Sequence, residues 1–380
     1  MRITILGAGP AGLYLAYLLK RRRRDLDVRV IEQNRADATF GFGVVFSDRA
    51  LAFLNDDDPE TYAAITPHLT SWEDITLVHR GERIAIDGIG FAAVGRLKLL
   101  GLLQARARSV GVEPLFERAV ASLDEIADAD LIVGADGVNS LVRRTFADEL
   151  GASVTPLTNR FAWFGTSKPF DTLTQTFRET ELGHFNAHHY RYAGDRSTFI
   201  VEVDAATFHR AGFDRMSETD ARVVCEGVFA EALGGHKLIS NNSIWRQFPK
   251  VANAHWSHKK YVLIGDALRT AHFSIGSGTR LAMEDAIALD KALAGHHDDV
   301  PAVLHAYEAA RRPIVDKLVA GANASSDWYE HFAEHMKLAP IDFAMSYVTR
   351  SGRVDIERLR RISPKFVARY EQRTRARAGE

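Results

Sequence analysis

Three glycines open the chain at a spacing suited to phosphate chemistry. Gly7, Gly9 and Gly12 lie in Gly7-Ala8-Gly9-Pro10-Ala11-Gly12, directly after the apolar run Arg2 to Leu6. In such a motif Gly7 makes the tight turn, Gly9 lets a pyrophosphate approach the backbone, and Gly12 lets a helix lie close to a strand. The helix beginning at Pro10-Ala11 offers free backbone amides to an anion. Glu32, followed by Gln33, closes a second strand-like run about twenty positions further on, where a carboxylate accepts hydrogen bonds from a ribose. Strand, turn, helix, strand and acid together imply a dinucleotide cradle. Two more acids follow apolar runs, Asp136 after Leu131 to Gly134 and Asp266 after Tyr261 to Ile264. A carboxylate in that position can accept hydrogen bonds from polyol hydroxyls. The histidines His184, His188, His189 and His272 titrate near neutrality by default and are the candidate proton acceptors.

The elements that position these groups follow from pattern. Met1 to Leu19 and the basic run Lys20 to Arg24 might be mistaken for a membrane anchor, but three glycines and Pro10 interrupt the segment, so a helix with a solvated basic end is expected. Gly41 and Gly43, with Val44, suit a backbone that passes against a flat ring before a helix near Asp48 to Leu54. Ile75 to Val78 and Arg83 to Ile86 alternate around Arg80-Gly81 as a hairpin. Arg96 to Ala107 has helical spacing and starts on a basic side chain. From Phe161 to Phe248 aromatic residues are strewn through β-like runs, and Ser217-x-x-Asp220 opens a helix. Beyond Pro301 the period is helical, and a basic tail at Arg373 to Arg377 is expected to be disordered.

Composition sets the limits. With 380 residues, 46% hydrophobic and 26% charged, the chain has room for two domains. Its 48 basic and 49 acidic residues give a net charge of -1, which favours neither nucleic acid nor a membrane surface. A single cysteine, Cys225, excludes an internal disulfide and a cysteine metal cluster; a cytoplasmic location is expected and no metal site is read.

Taken together, the glycine motif with Glu32, the segment Gly134-Ala135-Asp136-Gly137-Val138-Asn139-Ser140-Leu141-Val142-Arg143, and Ile264-Gly265-Asp266-Ala267 with Gly276-x-Gly278 and Glu284-Asp285-Ala286 resemble the single-component FAD-dependent aromatic hydroxylases. Residues Gly265 to Arg280, Gly41 to Asp48 and Thr349 to Val354 are similar to the salicylyl-CoA 5-hydroxylase and 2-aminobenzoyl-CoA monooxygenase subgroup. Trp163 to Ser167 resembles a more distant relative, a hydroxylase of violacein biosynthesis that acts on a tryptophan-type substrate. The resemblance implies an α/β fold: a Rossmann-like FAD-binding domain (residues 1–70, 96–160 and 250–300), an interleaved, mainly antiparallel β-sheet substrate domain (71–95 and 161–249), and a helical C-terminal region (301–380).

It further implies a monooxygenase that uses FAD, transient NAD(P)H and O2 to hydroxylate a small aromatic molecule, in particular an aryl-CoA thioester such as salicylyl-CoA. Cofactor contacts are implied for Gly7, Gly9, Pro10, Ala11, Gly12, Glu32, Gln33, Gly43, Val44, Arg96, Val120, Asp136, Asp266, Gly276 and Gly278. Among them Arg96 would reach the FAD phosphates, Val120 the adenine and Asp266 the ribityl chain. His272 is the candidate catalytic proton acceptor; Trp163, Phe164, Phe177 and His188 are candidate substrate contacts. Lys259, Lys260, Arg191, Arg210 and Arg215 are available to a thioester's phosphates. The alternatives are a hydroxylase of a free aromatic or indole substrate and a non-catalytic protein on the FAD fold. A flavin halogenase is disfavoured because no tryptophan sits in a W-x-W-x-I-P signature, and a two-nucleotide-domain reductase because a second glycine fingerprint is missing.

Overall fold

The computed structural model describes residues 1–39, 41–47 and 51–378. Its first layer is a five-stranded sheet in the order Ser257–His258, Tyr261–Leu263, Leu131–Gly134, Arg2–Leu6, Asp27–Ile31. All pairings are parallel except the one at the Ser257–His258 edge. The central strands read as near-continuous apolar runs because both faces are covered. Ile3, Ile5, Leu131, Ile132 and Val262 are fully buried. The helices Pro10–Arg22, Arg96–Ser109 and Gly278–His296 pack with this layer, and Val300–Glu330 lies along Gly278–His296.

The second layer is a seven-stranded sheet in the order Leu238–Ile239, Arg160–Thr166, Arg196–Val203, Gly183–Ala193, Leu173–Thr180, Ile75–His79, Glu82–Ile86. It is antiparallel apart from the Leu173–Thr180 and Ile75–His79 pair. The expected hairpin around Arg80-Gly81 is its edge. Between the layers, Gly43–Ser47, Phe91–Gly95 and Thr70–Trp72 form a small third sheet, so the segments 1–70 and 71–95 meet through backbone pairing. The turn expected at Asp48 lies outside the described residues; the helix after it runs over Ala52–Asp57. Ser217 caps the helix Glu218–Val228, in which Cys225 is fully buried.

Two expectations change. The tail at Arg373 to Arg377 is helical, part of Pro364–Ala378, because Phe366 and Val367 bury against the core and Arg373 pairs with Glu82 at 2.7 Å. The basic end of the first helix is not simply solvated. Arg22 makes a forked pair with Asp290 (3.0 and 2.7 Å), Arg21 meets buried Asp58 at 2.8 Å, and Lys20 Nζ donates to Leu26 O at 2.8 Å, so the run braces the helix against its neighbours. No described helix is long and apolar enough to cross a membrane.

Burial leaves three imidazoles uncharged, His188 and His189 in the large sheet and His272 in the loop beside it. It pushes His188 and His189 down to about 3 and His272 down to about 4. Each ring protonates in the unfolded chain near the ordinary value of about 6.5, before it can do so in the fold. Their contribution to stability is therefore complete above that pH and is lost as pH falls toward the folded values. Asp266, deep among protein atoms beside the cavity, and buried Glu202, whose carboxyls are raised by desolvation, act with the opposite sign. His189 stacks on Phe199 at 5.0 Å and touches no cavity-facing acid. Replacing it in H189F should flatten the slope of unfolding free energy between pH 6 and 4 by up to about 1.4 kcal/mol per pH unit, as read from urea titrations at each pH; an unchanged slope would refute the buried neutral ring.

Candidate active site

The glycine turn, Glu32 and Asp136 face a cavity of about 390 Å³, lined also by Gln33 and Val120. Gly7 runs at φ +100°, where a Cβ would lie 2.4 Å from Ala135 O, and a Cβ on Gly12 would lie 2.0 Å from Gly7 O. These two positions hold strand and helix together. A Cβ on Gly9 would meet nothing within 4 Å, so the space beside it is open to a ligand. The helix Pro10–Arg22 starts at that point with no side-chain cap, leaving first-turn amides free for an anion. Pro10, Ala11 and Gly12 do not line the cavity; Ala11 and Gly12 carry first-turn amides, whereas Pro10 has no N–H to offer and only sets the start of the helix. Glu32 Oε1 accepts from Asn34 N and Nδ2 at 2.8 and 2.7 Å, and Oε2 accepts from Ala8 N at 2.9 Å. Oε2 keeps room for one more donor. Asp136 Oδ2 accepts from Leu141 N at 2.7 Å, whereas Oδ1 is buried without a partner. Burial pushes its carboxyl up, opposed by the hydrogen bonds from Ser140 and Leu141.

Gly137 and Asn139 line this cavity, and Val138 between them lines a second one of about 210 Å³. One side of it is built by Gly43, Val44, Arg96, Asp266, Gly276 and Gly278; the other by Phe161, Trp163, Gln175, His188 and Tyr190 of the large sheet. Asp266 follows the strand Tyr261–Leu263 at its C-terminal end, in the turn that enters the helical layer. It is deep among protein atoms, and that surrounding pushes its carboxyl up, but Arg96 and Arg269 oppose the shift. Its side chain nevertheless remains accessible, because it faces the cavity. Across from it the Arg96 guanidinium is lowered by burial, and its Nε has no hydrogen-bond partner. A buried cation with a free donor is costly unless an anion or acceptor meets it. Gly278 starts the helix Gly278–His296, again without a side-chain cap and with nothing within 4 Å of a Cβ. Tyr190 Oη donates to Gly43 O at 3.0 Å, tying the small sheet to the large one.

The expected substrate contacts divide. Trp163 and His188 line the second cavity. Phe164 does not: one residue on from Trp163, it points to the opposite face of its strand and is fully buried there with Phe185 and Phe199. Phe177 shares the face of Gln175 but lies two residues further along, beneath the C-terminal helices, 4.6 Å from Phe343 and 6.0 Å from Trp328. His272, the expected proton acceptor, stands behind the wall. Its ring packs on Phe273 at 4.2 Å and Phe248 at 4.8 Å, its Nδ1 is 2.8 Å from Ser274 Oγ, and only its neighbours Ala271 and Phe273 reach the cavity. His184 also lies outside it. None of Lys259, Lys260, Arg191, Arg210 and Arg215 lines the cavity; Lys260 Nζ instead donates to Ala127 O and Ala129 O at 2.6 and 2.8 Å. Gln175, Tyr190 and Tyr347 line the cavity and were not expected from sequence. Tyr347 comes from the helix Pro340–Thr349, just before the Thr349 to Val354 segment, where no local pattern marks it.

These features fit FAD. Open amides at Gly9 would suit a pyrophosphate, the spare acceptor capacity of Glu32 Oε2 and the unpartnered Asp136 Oδ1 would suit hydroxyl donors, the unpartnered Arg96 Nε would suit an anionic or carbonyl oxygen, and accessible Asp266 would suit a polyol chain. Removing one charged hydrogen-bond partner of a ligand costs about 1.5–3 kcal/mol. D266A should therefore weaken FAD retention by about tenfold or more, measured as flavin absorbance per chain after gel filtration. Full flavin occupancy in that variant would remove Asp266 from the cofactor site.

Residues 102–322 match the family model for the FAD binding domain, and residues 5–39 match that for the NAD(P)-binding Rossmann-like domain. The chain is 44% identical to a salicyloyl-CoA 5-hydroxylase of Streptomyces over 92% of its own length and 70% of the relative's. It is 36% identical to 3-hydroxy-4-methyl-anthranilyl-[aryl-carrier protein] 5-monooxygenase of Streptosporangium sibiricum, covering 87% of this chain and 89% of that one. Protodeoxyviolaceinate monooxygenase of Chromobacterium violaceum is also 36% identical, over 92% of this chain and 94% of its own. The fold matches the crystal structure of a 2-methyl-3-hydroxypyridine-5-carboxylic acid oxygenase with a TM-score of 0.71 at 19% identity, covering 95% of each chain. With FAD and NAD(P)H as its cofactors and hydroxylation of a small aromatic molecule as its chemistry, the chain belongs to the FAD-dependent aromatic monooxygenases.

Proposed function

We propose that the protein hydroxylates the ring of an aromatic acyl thioester, with salicyloyl-CoA as the best candidate and the carbon para to the ring hydroxyl as the target. The single observation that carries this reading is the 44% identity, across 92% of the chain, to an enzyme named for that substrate. A second relative is named for an aryl group held on a carrier protein, which is also an acyl-linked arene. A cytoplasmic location belongs to the same reading.

The chemistry suits the cavity. FAD, reduced by NAD(P)H and exposed to O2, supplies an electrophilic oxygen when bound. The chain's own residues do the rest. Phe161, Trp163, Phe248 and Phe273 provide flat apolar contact for an aromatic ring and exclude water from it. Asp266 and Arg96 hold the polar side of the cavity next to the cofactor turn at Gly276 to Gly278. A ring hydroxyl donates electron density to its para carbon, so a salicyloyl group placed edge-on to that turn is activated at the 5-position. His188 is kept uncharged at neutral pH by its burial and presents a neutral polar edge within the apolar wall.

A second reading, a free aromatic or indole substrate, is favoured by the 36% identity to protodeoxyviolaceinate monooxygenase. The two separate in one assay: NADH or NADPH oxidation and product formation with salicyloyl-CoA, free salicylate and tryptophan. The expected result is a hydroxylated product from the thioester, with stimulation well above that by either free compound. A hydroxylated product from the free acid alone would defeat the thioester reading, and a purified protein without a flavin absorbance band would defeat the enzymatic one.

A further inference from the structure

Three side chains the sequence motifs do not include stand side by side on one face of the large sheet, and two of them, Gln175 and His188, line the cavity. Gln175 pairs in register with His188 on the next strand, and Glu202 lies on the strand after that, diagonal to His188 on the same face. All three are buried. Tyr329 Oη donates to Gln175 Oε1 at 3.3 Å. The Nε2 end of Gln175 meets His188 Nδ1, at 2.8 Å. An amide NH2 only donates, so Nδ1 accepts and the neutral ring carries its proton on Nε2. That Nε2 lies 3.4 Å from Glu202 Oε2 without making a hydrogen bond to it. Glu202 is held instead by Asn159 Nδ2, which donates to its Oε1 at 3.0 Å and to Tyr329 O at 2.8 Å. The imidazole is packed flat against Tyr329 at 5.0 Å.

One N–H of the Gln175 amide is used by His188. The other has no acceptor among the described residues, and Gln175 lines the cavity. A buried donor without a partner is a place for a ligand oxygen. The charge around it is equally specific. Arg96 is the one Lys or Arg among the described lining residues, and it faces Asp266 at the cofactor side. Near Gln175 there is a neutral imidazole with an acid behind it. A carboxylate placed there would be desolvated with no lining cation to pair with, since Arg350, which acts on the His188 ring, stands outside the lining, whereas a neutral carbonyl would simply accept the N–H.

We propose that Gln175 is the donor that recognises the acyl carbonyl oxygen of the substrate, held in donor orientation by His188, so that the cavity takes a neutral acyl derivative and rejects the free carboxylate. Gln175 is thus the specificity-determining contact and His188 is a positioning residue. The inference rests on the aryl-acyl reading above and adds the device that selects the acyl form over the acid.

The test uses the FAD-loaded protein and two small probes that lack any thioester tail, salicylamide and salicylate, with dissociation constants read from the change in flavin absorbance. The native protein should bind the neutral amide at least about tenfold tighter than the anion, the worth of one well-formed hydrogen bond against an unpaired buried charge. In Q175L the amide should lose about tenfold while salicylate changes little. H188F should share that loss, and combining it with Q175L should add nothing further. With salicyloyl-CoA the same variants should raise KM more than they lower kcat. Flavin content and far-UV circular dichroism check folding. Native preference for salicylate over salicylamide, or a Q175L protein that binds the amide as tightly as the native one, would overturn the inference and leave the hydroxylase reading standing. If the native holoprotein binds neither these probes nor salicyloyl-CoA, the aryl-acyl reading falls and this inference with it.

Discussion

A single buried carboxylate, Asp285, holds the site in register. Its Oδ2 accepts from Gly265 N at 3.0 Å and from Arg269 at 2.7 Å, while its Oδ1 accepts from Arg269 at 2.9 Å and from Arg311 at 3.0 Å. Arg311 reaches on to Glu284 at 2.6 Å. These contacts join the turn that carries Asp266, the helix Gly278–His296 and the long C-terminal helix Val300–Glu330. Such a cluster adds little net stability, since the desolvation of its charges offsets their attraction. Breaking one partner, however, leaves a charge unpaired in the interior, at a cost of about 3–5 kcal/mol. The cluster is therefore better understood as a constraint on geometry: its shared carboxylate fixes the turn, the two helices and the two arginines in one arrangement, and in it Asp266 faces Arg96 across the cavity.

Arg143 does the same for the other acid. Its Nη1 donates to Ala267 O at 2.8 Å and its Nη2 to Val138 O, so the Asp136 turn and the Asp266 turn are bonded to each other directly. Burial lowers this guanidinium, and Asp136 opposes that shift. The two strands that end in these acids are adjacent in the parallel sheet, and their C-terminal ends mark the crevice where α/β sheets bind ligands. The spacing of Asp136 with Arg143, and of Asp266 with Asp285, thus has a mechanical content: in each pair one residue faces the ligand space and the other fixes the turn.

The difference between what could and could not be read from sequence follows from this. The nucleotide end was legible because its determinants are local: Gly7, Gly12 and Glu32 act through turns and backbone approaches that recur wherever a strand, turn and helix follow one another. The three-motif resemblance carried the fold class and the helical C-terminus. The substrate wall was not legible to the same degree. It depends on strand parity and on which part of a sheet face the C-terminal helices cover. Parity sends Phe164 away from Trp163, and the helix cover claims Phe177 but leaves Gln175 open, although both lie on one face. His272 was placed by its motif beside the cofactor turn, correctly in sequence but on the wrong side of Phe273. Tail contacts for a thioester could not be chosen at all, because dispersed basic residues carry no spacing signal.

The C-terminal helices are part of the wall and not an appendage to it. Arg350 Nη2 donates to Ser274 O at 2.8 Å, its Nε donates to Ser325 Oγ at 2.9 Å, and its guanidinium lies 3.9 Å over the Tyr347 ring. Ser325 Oγ is in turn 2.8 Å from Ser274 Oγ, which is 2.8 Å from His272 Nδ1. A hydroxyl chain thus runs from the helical region into the loop before Gly276, and Tyr347 closes the cavity on the same side. The loop needs this support because its residues from Ala271 to Ser277 form only short helical turns, with few backbone bonds of their own. In a cavity whose chemistry depends on keeping water from an activated oxygen, the placement of that loop must be set by the fold before any ligand arrives. His272 therefore has a role its sequence position did not suggest: its imidazole, uncharged and wedged between Phe248 and Phe273, ties the loop to the serine chain from the inside. The histidine that looked like a proton acceptor is a fastening of the wall, and the neutral polar edge of that wall is left to His188 and Gln175.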